Sequence, residues 1–181
     1  MNTALSNPTA STNLIIVMGV SGSGKSTIAQ ALAQHYQYTL LDADDFHSDE
    51  SRALMAKGIP LTDENRTPWV AAIKAELEHK AESNEHCVLA FSGLKQKHRN
   101  ELRKAGLRTI FLFLNGSQDV IQERINNREN HFMNPQLLTS QFDSLENPLD
   151  EADVHSISTN TIIADVITQA IDTITQILRI K

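Results

Sequence analysis

A chain of 181 residues with 40% hydrophobic and 21% charged side chains is long enough for one domain with a substantial core, and short for two. That composition excludes a fibrous or wholly disordered class, and no apolar run approaches bilayer-spanning length. With 16 basic against 22 acidic residues, the formal charge of −6 argues against broad binding to nucleic acid or to an acidic membrane surface, which require a basic excess.

Residues 1–13 are mainly Asn, Thr, Ser, Ala and Pro, without a basic residue or a hydrophobic segment. They read as a flexible tail rather than a secretory or transit signal, ahead of a single domain over 14–181. The single cysteine, Cys87, has no partner within the chain, so a reducing compartment is expected and the protein reads as cytoplasmic. Cys87 itself fits buried packing better than a catalytic thiol.

The apolar run Leu14–Met18 is a strand candidate, and Gly19-Val20-Ser21-Gly22-Ser23-Gly24-Lys25-Ser26 follows it, with Thr27 next. This octet fits G-x-x-x-x-G-K-[ST], the P-loop, whose glycines let backbone N–H groups turn inward around phosphate oxygens. Lys25 is placed to reach the β- and γ-phosphates of a nucleotide, Ser26 to ligate Mg²⁺, and the following helix points its positive end at the charge. Residues 28–35 carry apolar side chains at helical spacing, so strand, loop and helix occur in the order that the motif requires.

Residues 38–41 read as a second strand, ending in Asp42-Ala43-Asp44-Asp45-Phe46-His47. Carboxylates at the carboxyl end of such a strand lie beside the ligand crevice, and continued extension would send Asp42 and Asp44 to one side. One could help hold a Mg²⁺ water and the other accept or orient a hydroxyl proton, while the same run also suits a helix start. Residues 49–57 look helical up to Gly58-Ile59-Pro60. A polar loop over 61–67 then leads to a helix of about 68–83, with Pro68 in its first turn. Arg66 either grips a substrate carboxylate or is a solvated loop charge. Trp69 is read as packing at the helix start.

Cys87–Phe91 is a third strand, and the small Ser92-Gly93 pair after it permits close approach to a ligand, with Lys95 at the strand mouth. Lys97, His98, Arg99, Arg103 and Lys104 then lie on a helix of 95–105 whose basic residues read mostly as a solvated face. A fourth strand spans 109–114. A helix of 117–128 carries Arg124 and Arg128, four apart on one face beside a polar break that includes His131, and 136–146 resume as helix. Two arginines beside such a break suit charge stabilisation in phosphoryl transfer. A short strand at 154–158 and an amphipathic final helix complete a β-α alternation, which implies a mainly parallel sheet covered on both faces.

Taken together, MGVSGSGKST at 18–27, LDADDFH at 41–47, the M-x-x-G-x-P-L-x-D-x-x-R-x-P-W pattern from Met55 to Trp69, SGLK-x-x-x-R at 92–99 and R-x-x-H-F…L-L-x-S-Q-F-x-x-L-E-x-P from Arg128 to Pro148 resemble the gluconokinases, small P-loop kinases related to shikimate and adenylate kinases. The resemblance implies a P-loop NTPase fold: a five-stranded parallel sheet in the order 2-3-1-4-5, flanked by helices, with a substrate-binding segment at about 47–83 and a lid at about 124–136. It implies ATP and Mg²⁺ as cofactors and phosphorylation of D-gluconate at the 6-hydroxyl. Asp44 becomes the hydroxyl-facing carboxylate and Asp42 the metal-side one, with Ser26. Arg66 becomes a substrate contact, Arg124 and Arg128 become lid arginines, and His47, Lys95, Arg99 and Gln141 become further pocket residues. The family includes dimers, so the resemblance allows a homodimer. Ser48, Ser51, Leu54 and Asn65 depart from the family pattern near the acceptor, and Phe91, Gly93, Gln96 and His98 depart around the third strand. Two other readings stay open: a kinase for shikimate or another aldonate, and a non-catalytic ATP-binding regulatory protein.

Overall fold

Alternation along the first strand builds the fold. In β1 (Asn13–Met18), Leu14, Ile16 and Met18 face one side of the sheet and Ile15 and Val17 the other, all of them buried. A strand apolar on both faces has to be covered on both faces. Each such side chain contributes roughly 1.5–3 kcal/mol by leaving water. The computed structural model describes residues 11–127 and 135–179. Asn13, expected in the tail, belongs to the sheet instead, and Thr12 is held against it. Asn13 begins β1, and the Thr12 carbonyl accepts the Arg108 N–H at 2.8 Å.

β1 is central. β2 (Thr39–Asp42), β3 (Cys87–Phe91), β4 (Arg108–Asn115) and β5 (Val154–Ser158) complete a parallel sheet in the order β2-β3-β1-β4-β5, as the resemblance implies. One face is covered by α3 (Asp63–Glu82), through Trp69, Val70, Ile73 and Leu77, and by Leu102 of α4 (Gln96–Arg103). The other is covered by α1 (Lys25–Tyr36) and α7 (Ile163–Arg179), through Ile28, Leu32, Val166, Ala170 and Ile174. α2 (Asp49–Ala56), α5 (Gln118–Asn126) and α6 (Pro135–Ser144) gather at the carboxyl ends of the strands. Because β3 and β4 flank β1 on opposite sides, the chain leaves β1 at a topological switch point, where open α/β sheets form their ligand crevice.

Three local expectations are corrected. Extension stops at Asp42, whose carboxylate accepts the Asp44 N–H at 3.0 Å and caps a 3₁₀ turn over Ala43–Phe46, so Asp42 and Asp44 are not strand neighbours on one face. α3 begins at Asp63, not near 68. Thr62 and Asn65 form a reciprocal capping box, with Asn65 N–H donating to Thr62 Oγ1 at 3.3 Å and Thr62 N–H to Asn65 Oδ1 at 3.2 Å. Pro68 therefore lies inside the helix. The departure at Asn65 keeps a side chain able to close this box.

The basic helix is not simply a solvated face. Arg99 is fully buried, donates to the Gly93 carbonyl at 2.6 Å and pairs with Glu151. Arg103 joins Glu151 and Asp153 and lies 4.7 Å over the Phe111 ring. His98 is buried as well, while Lys97 and Lys104 keep exposed pairs with Asp63 and Glu101.

Candidate active site

The P-loop turns from the end of β1 into α1. Gly22 sits at φ +78°, and a Cβ there would stand 2.7 Å from Ile125 Cγ1, so the turn admits glycine alone in this packing. Gly24 occupies the N-cap without a side-chain cap, and the first turn of α1 holds no acidic residue. The N–H groups of Lys25, Ser26 and Thr27 thus have no helical acceptor, and the positive helix end is left to an external anion. Lys25 Nζ curls back to donate to the Val20 carbonyl at 3.0 Å. Burial lowers its pKa to about 8 in spite of the opposing pull of Asp44 and Asp42.

A cleft of about 750 Å³ opens over this loop, lined by Ser21, Gly22, Gly24, Lys25, Ser26 and Thr27 on one side. Asp42, Asp44, His47, Arg66 and Trp69 line the other, and Leu137, Ser140 and Gln141 of α6 line a third wall. Nucleotide-side and acceptor-side groups therefore share one cavity. Burial raises the Asp42 carboxyl above its ordinary range, reinforced by the charges of Asp44 and Asp45, against the hydrogen bond from Asp44 N–H. Asp44 is exposed, its side chain free to meet a ligand.

Arg66 is mostly buried in the cleft wall, and burial lowers its pKa against the pull of Asp63, whose carboxylate lies 3.9 Å away. A desolvated guanidinium with so distant a counter-charge is a good receptor for a second carboxylate. His47 stacks on Trp69, ring centres 4.3 Å apart and planes 13° from parallel, with Nε2 3.7 Å from Asp44 Oδ1. Burial lowers the His47 pKa, and its Nδ1 has no hydrogen-bond partner. Trp69 donates Nε1–H to the Ala43 carbonyl at 2.6 Å and leans on Phe91, fixing the acidic turn to α3.

Other expected site residues lie elsewhere. Arg99 is walled off from the cleft in its buried ion pair. Lys95 points to a shallower depression beside α6, 3.5 Å from Glu146. Arg124 donates to the carbonyls of Thr159 and Thr161, tying α5 to the loop after β5 rather than lining the cleft. Arg128, the second of the paired arginines, and His131 lie outside the described residues. Gln141 does line the cleft, with its amide turned to Ser21. The cleft also includes Met55, Lys57, Gly58 and Pro60, whose signal was the M-x-x-G-x-P pattern, and Leu137 and Ser140, which had none beyond their place in the later motif. Gly93, one of the departures, has φ +62° and a hypothetical Cβ 2.8 Å from Met18 Sδ, so the chain turns close against β1 there.

Sheet order, P-loop and uncapped helix define a nucleotide-binding α/β protein of the P-loop class, and a family model described as an AAA domain matches residues 14–151. The chain is 42% identical over 144 residues to a probable gluconokinase of Dictyostelium discoideum, covering 75% of this chain and 70% of that one. It is 34% identical over 163 residues to the thermoresistant gluconokinase of Escherichia coli K12, covering 90% and 93%. The crystal structure of a gluconokinase from Sinorhizobium meliloti 1021 superposes with a TM-score of 0.84 at 36% identity, covering 91% of this chain and 93% of that one. The chain belongs to the gluconokinase family.

Proposed function

We propose that the protein transfers the γ-phosphoryl group of ATP to the 6-hydroxyl of D-gluconate, giving 6-phospho-D-gluconate and ADP. The observation that carries this reading is the single cleft that joins the P-loop to the desolvated Arg66 across the Asp44 turn. The loop amides and Lys25 hold the triphosphate, and Arg66 holds the acid's carboxylate. Asp44 then orients the hydroxyl and takes its proton as the new P–O bond forms and the bond to the ADP oxygen breaks. With a loose transition state, positioning contributes more than base strength.

Mg²⁺ fits the residues present. Among the described residues no cluster of three or more His, Cys, Asp or Glu side chains forms a metal site, whereas Mg²⁺ is commonly held by one or two protein oxygens together with phosphates and water. Ser26 is exposed at the helix start, and Asp42 is a desolvated carboxylate that a cation would satisfy. These two would hold the ion, which supplies charge neutralisation on the phosphates. We further propose a cytoplasmic location and, since the family includes dimers, a homodimer. Among the described residues no helix is long and apolar enough to cross a membrane.

The test is Mg²⁺-dependent ADP release with gluconate, other aldonates, shikimate or no acceptor. Stimulation by gluconate above the others is expected, and Arg66→Ala should raise the KM for gluconate about tenfold to a hundredfold while leaving that for ATP unchanged. Stimulation by another acid would transfer the mechanism to that acceptor. ATP binding without any stimulated release would overturn phosphotransfer.

A further inference from the structure

Gln141 stands 120 residues from Ser21 in sequence, yet its Oε1 accepts the Ser21 N–H at 2.7 Å and its Nε2 lies 3.4 Å from Ser21 Oγ. The Ser21 N–H belongs to the same planar peptide unit as the Val20 carbonyl, which accepts Lys25 Nζ at 3.0 Å and Ser23 N–H at 3.2 Å. Gln141 therefore grips one edge of a rigid plane whose other edge holds the P-loop lysine. Packing backs the grip, since Leu138, one turn earlier on α6, is fully buried in a small apolar cluster with Val20, Leu94, Ile121 and Ile125.

From this geometry we infer that Gln141 is a positioning residue: it sets the orientation of the Val20–Ser21 peptide, and through it the starting position of Lys25, instead of touching the sugar acid. Both ends of the carboxamide are turned to Ser21, the oxygen to its N–H and the nitrogen to its hydroxyl. α6 and the phosphate loop are thereby registered against each other, so that the third wall of the cleft is built in step with the cradle. The effect on turnover rests on the phosphotransfer proposed above, but ATP affinity is read without any acceptor, so failure here and failure of the gluconate assignment are separable.

The experiment compares the parent with Gln141→Met, which keeps volume and removes both hydrogen bonds. Calorimetry with ATP alone, kcat and KM for gluconate at saturating ATP, and the melting temperature are measured for each. For Gln141→Met, ATP binding about fivefold to tenfold weaker is expected, with a lower kcat, a KM for gluconate within about twofold of the parent and little change in melting temperature. A raised KM for gluconate with unchanged ATP affinity would make Gln141 a substrate contact and overturn the inference. So would ATP affinity and kcat both unchanged in Gln141→Met.

Discussion

At Lys25, burial holds the ammonium pKa near 8, below its ordinary value, because desolvation outweighs Asp44 and Asp42. A lowered lysine pKa means that the charged form is disfavoured in the empty protein, so stability contributed at this residue increases as pH rises through that value. Nucleotide phosphates reverse the balance by favouring the charge, so ATP binding above about pH 8 must take up a proton. Affinity for ATP should then fall as pH rises, by up to about tenfold between about pH 7 and pH 9, since one unit above its pKa about one tenth of the lysines are charged. Titration calorimetry in buffers of different ionisation enthalpy would show the proton uptake at the higher pH. It should vanish in Lys25→Met, and equal uptake in that variant would assign the proton to another group. The site's sequence legibility follows from the same residue. The P-loop is local, each of its parts being adjacent in the chain, so Gly19–Thr27 could be read directly. Arg66 keeps two readings at the level of the chain, because its desolvation depends on the whole cleft.

Among the elements, what could be read and what could not divide along the same line. β1, β3 and β4 are continuous apolar runs, and their covering on two faces follows from that pattern alone. Pro68 has the familiar preference for a first turn, whereas α3 starts at the box that Thr62 and Asn65 close. The basic face of α4 is ambiguous for a different reason: the carboxylates that neutralise Arg99 and Arg103 lie about fifty residues later, in the stretch leading to β5. Burial acts to raise the Glu151 carboxyl, and the hydrogen bonds from Arg99 and Arg103 outweigh it, leaving its pKa below the ordinary value. Its stabilising contribution is therefore complete above the ordinary glutamate range and lost as pH falls through the depressed value. Glu151→Ala strands Arg99 as a buried charge and should cost about 3–5 kcal/mol in urea unfolding near neutral pH. The gap between parent and variant should narrow as pH falls below the ordinary glutamate range, where Glu151 in the parent gains its proton. A constant gap across that range would show that packing, not charge, carries the effect.

For the molecule as a whole, the two large core clusters lie on the sheet faces, while beside the catalytic cleft a third cluster, five buried residues among those described, joins the P-loop, the turn after β3, α5 and α6. Leu138 is the one fully buried side chain among the described side chains of α6; Phe142 is half-buried beside it, and Gln141 is the tie to the loop. A helix anchored so lightly opens more easily than β1 or β4, whose residues are sealed on both sides. Amide hydrogen exchange should accordingly be faster over 135–144 than in β1 and β4. Adding saturating ATP without acceptor should slow it, since a filled cradle holds the Val20–Ser21 peptide and so the partner of Gln141. Leu138→Ala should lower overall stability by about 2–5 kcal/mol, and speed exchange in α6 more than in the sheet. If α6 exchanged at the same rate with and without ATP, the phosphate loop and the third wall of the cleft would be neighbours without coupling. Slower exchange in the nucleotide complex would instead mean that filling the phosphate cradle also tightens the third wall of the cleft, through the Gln141 contact to the loop.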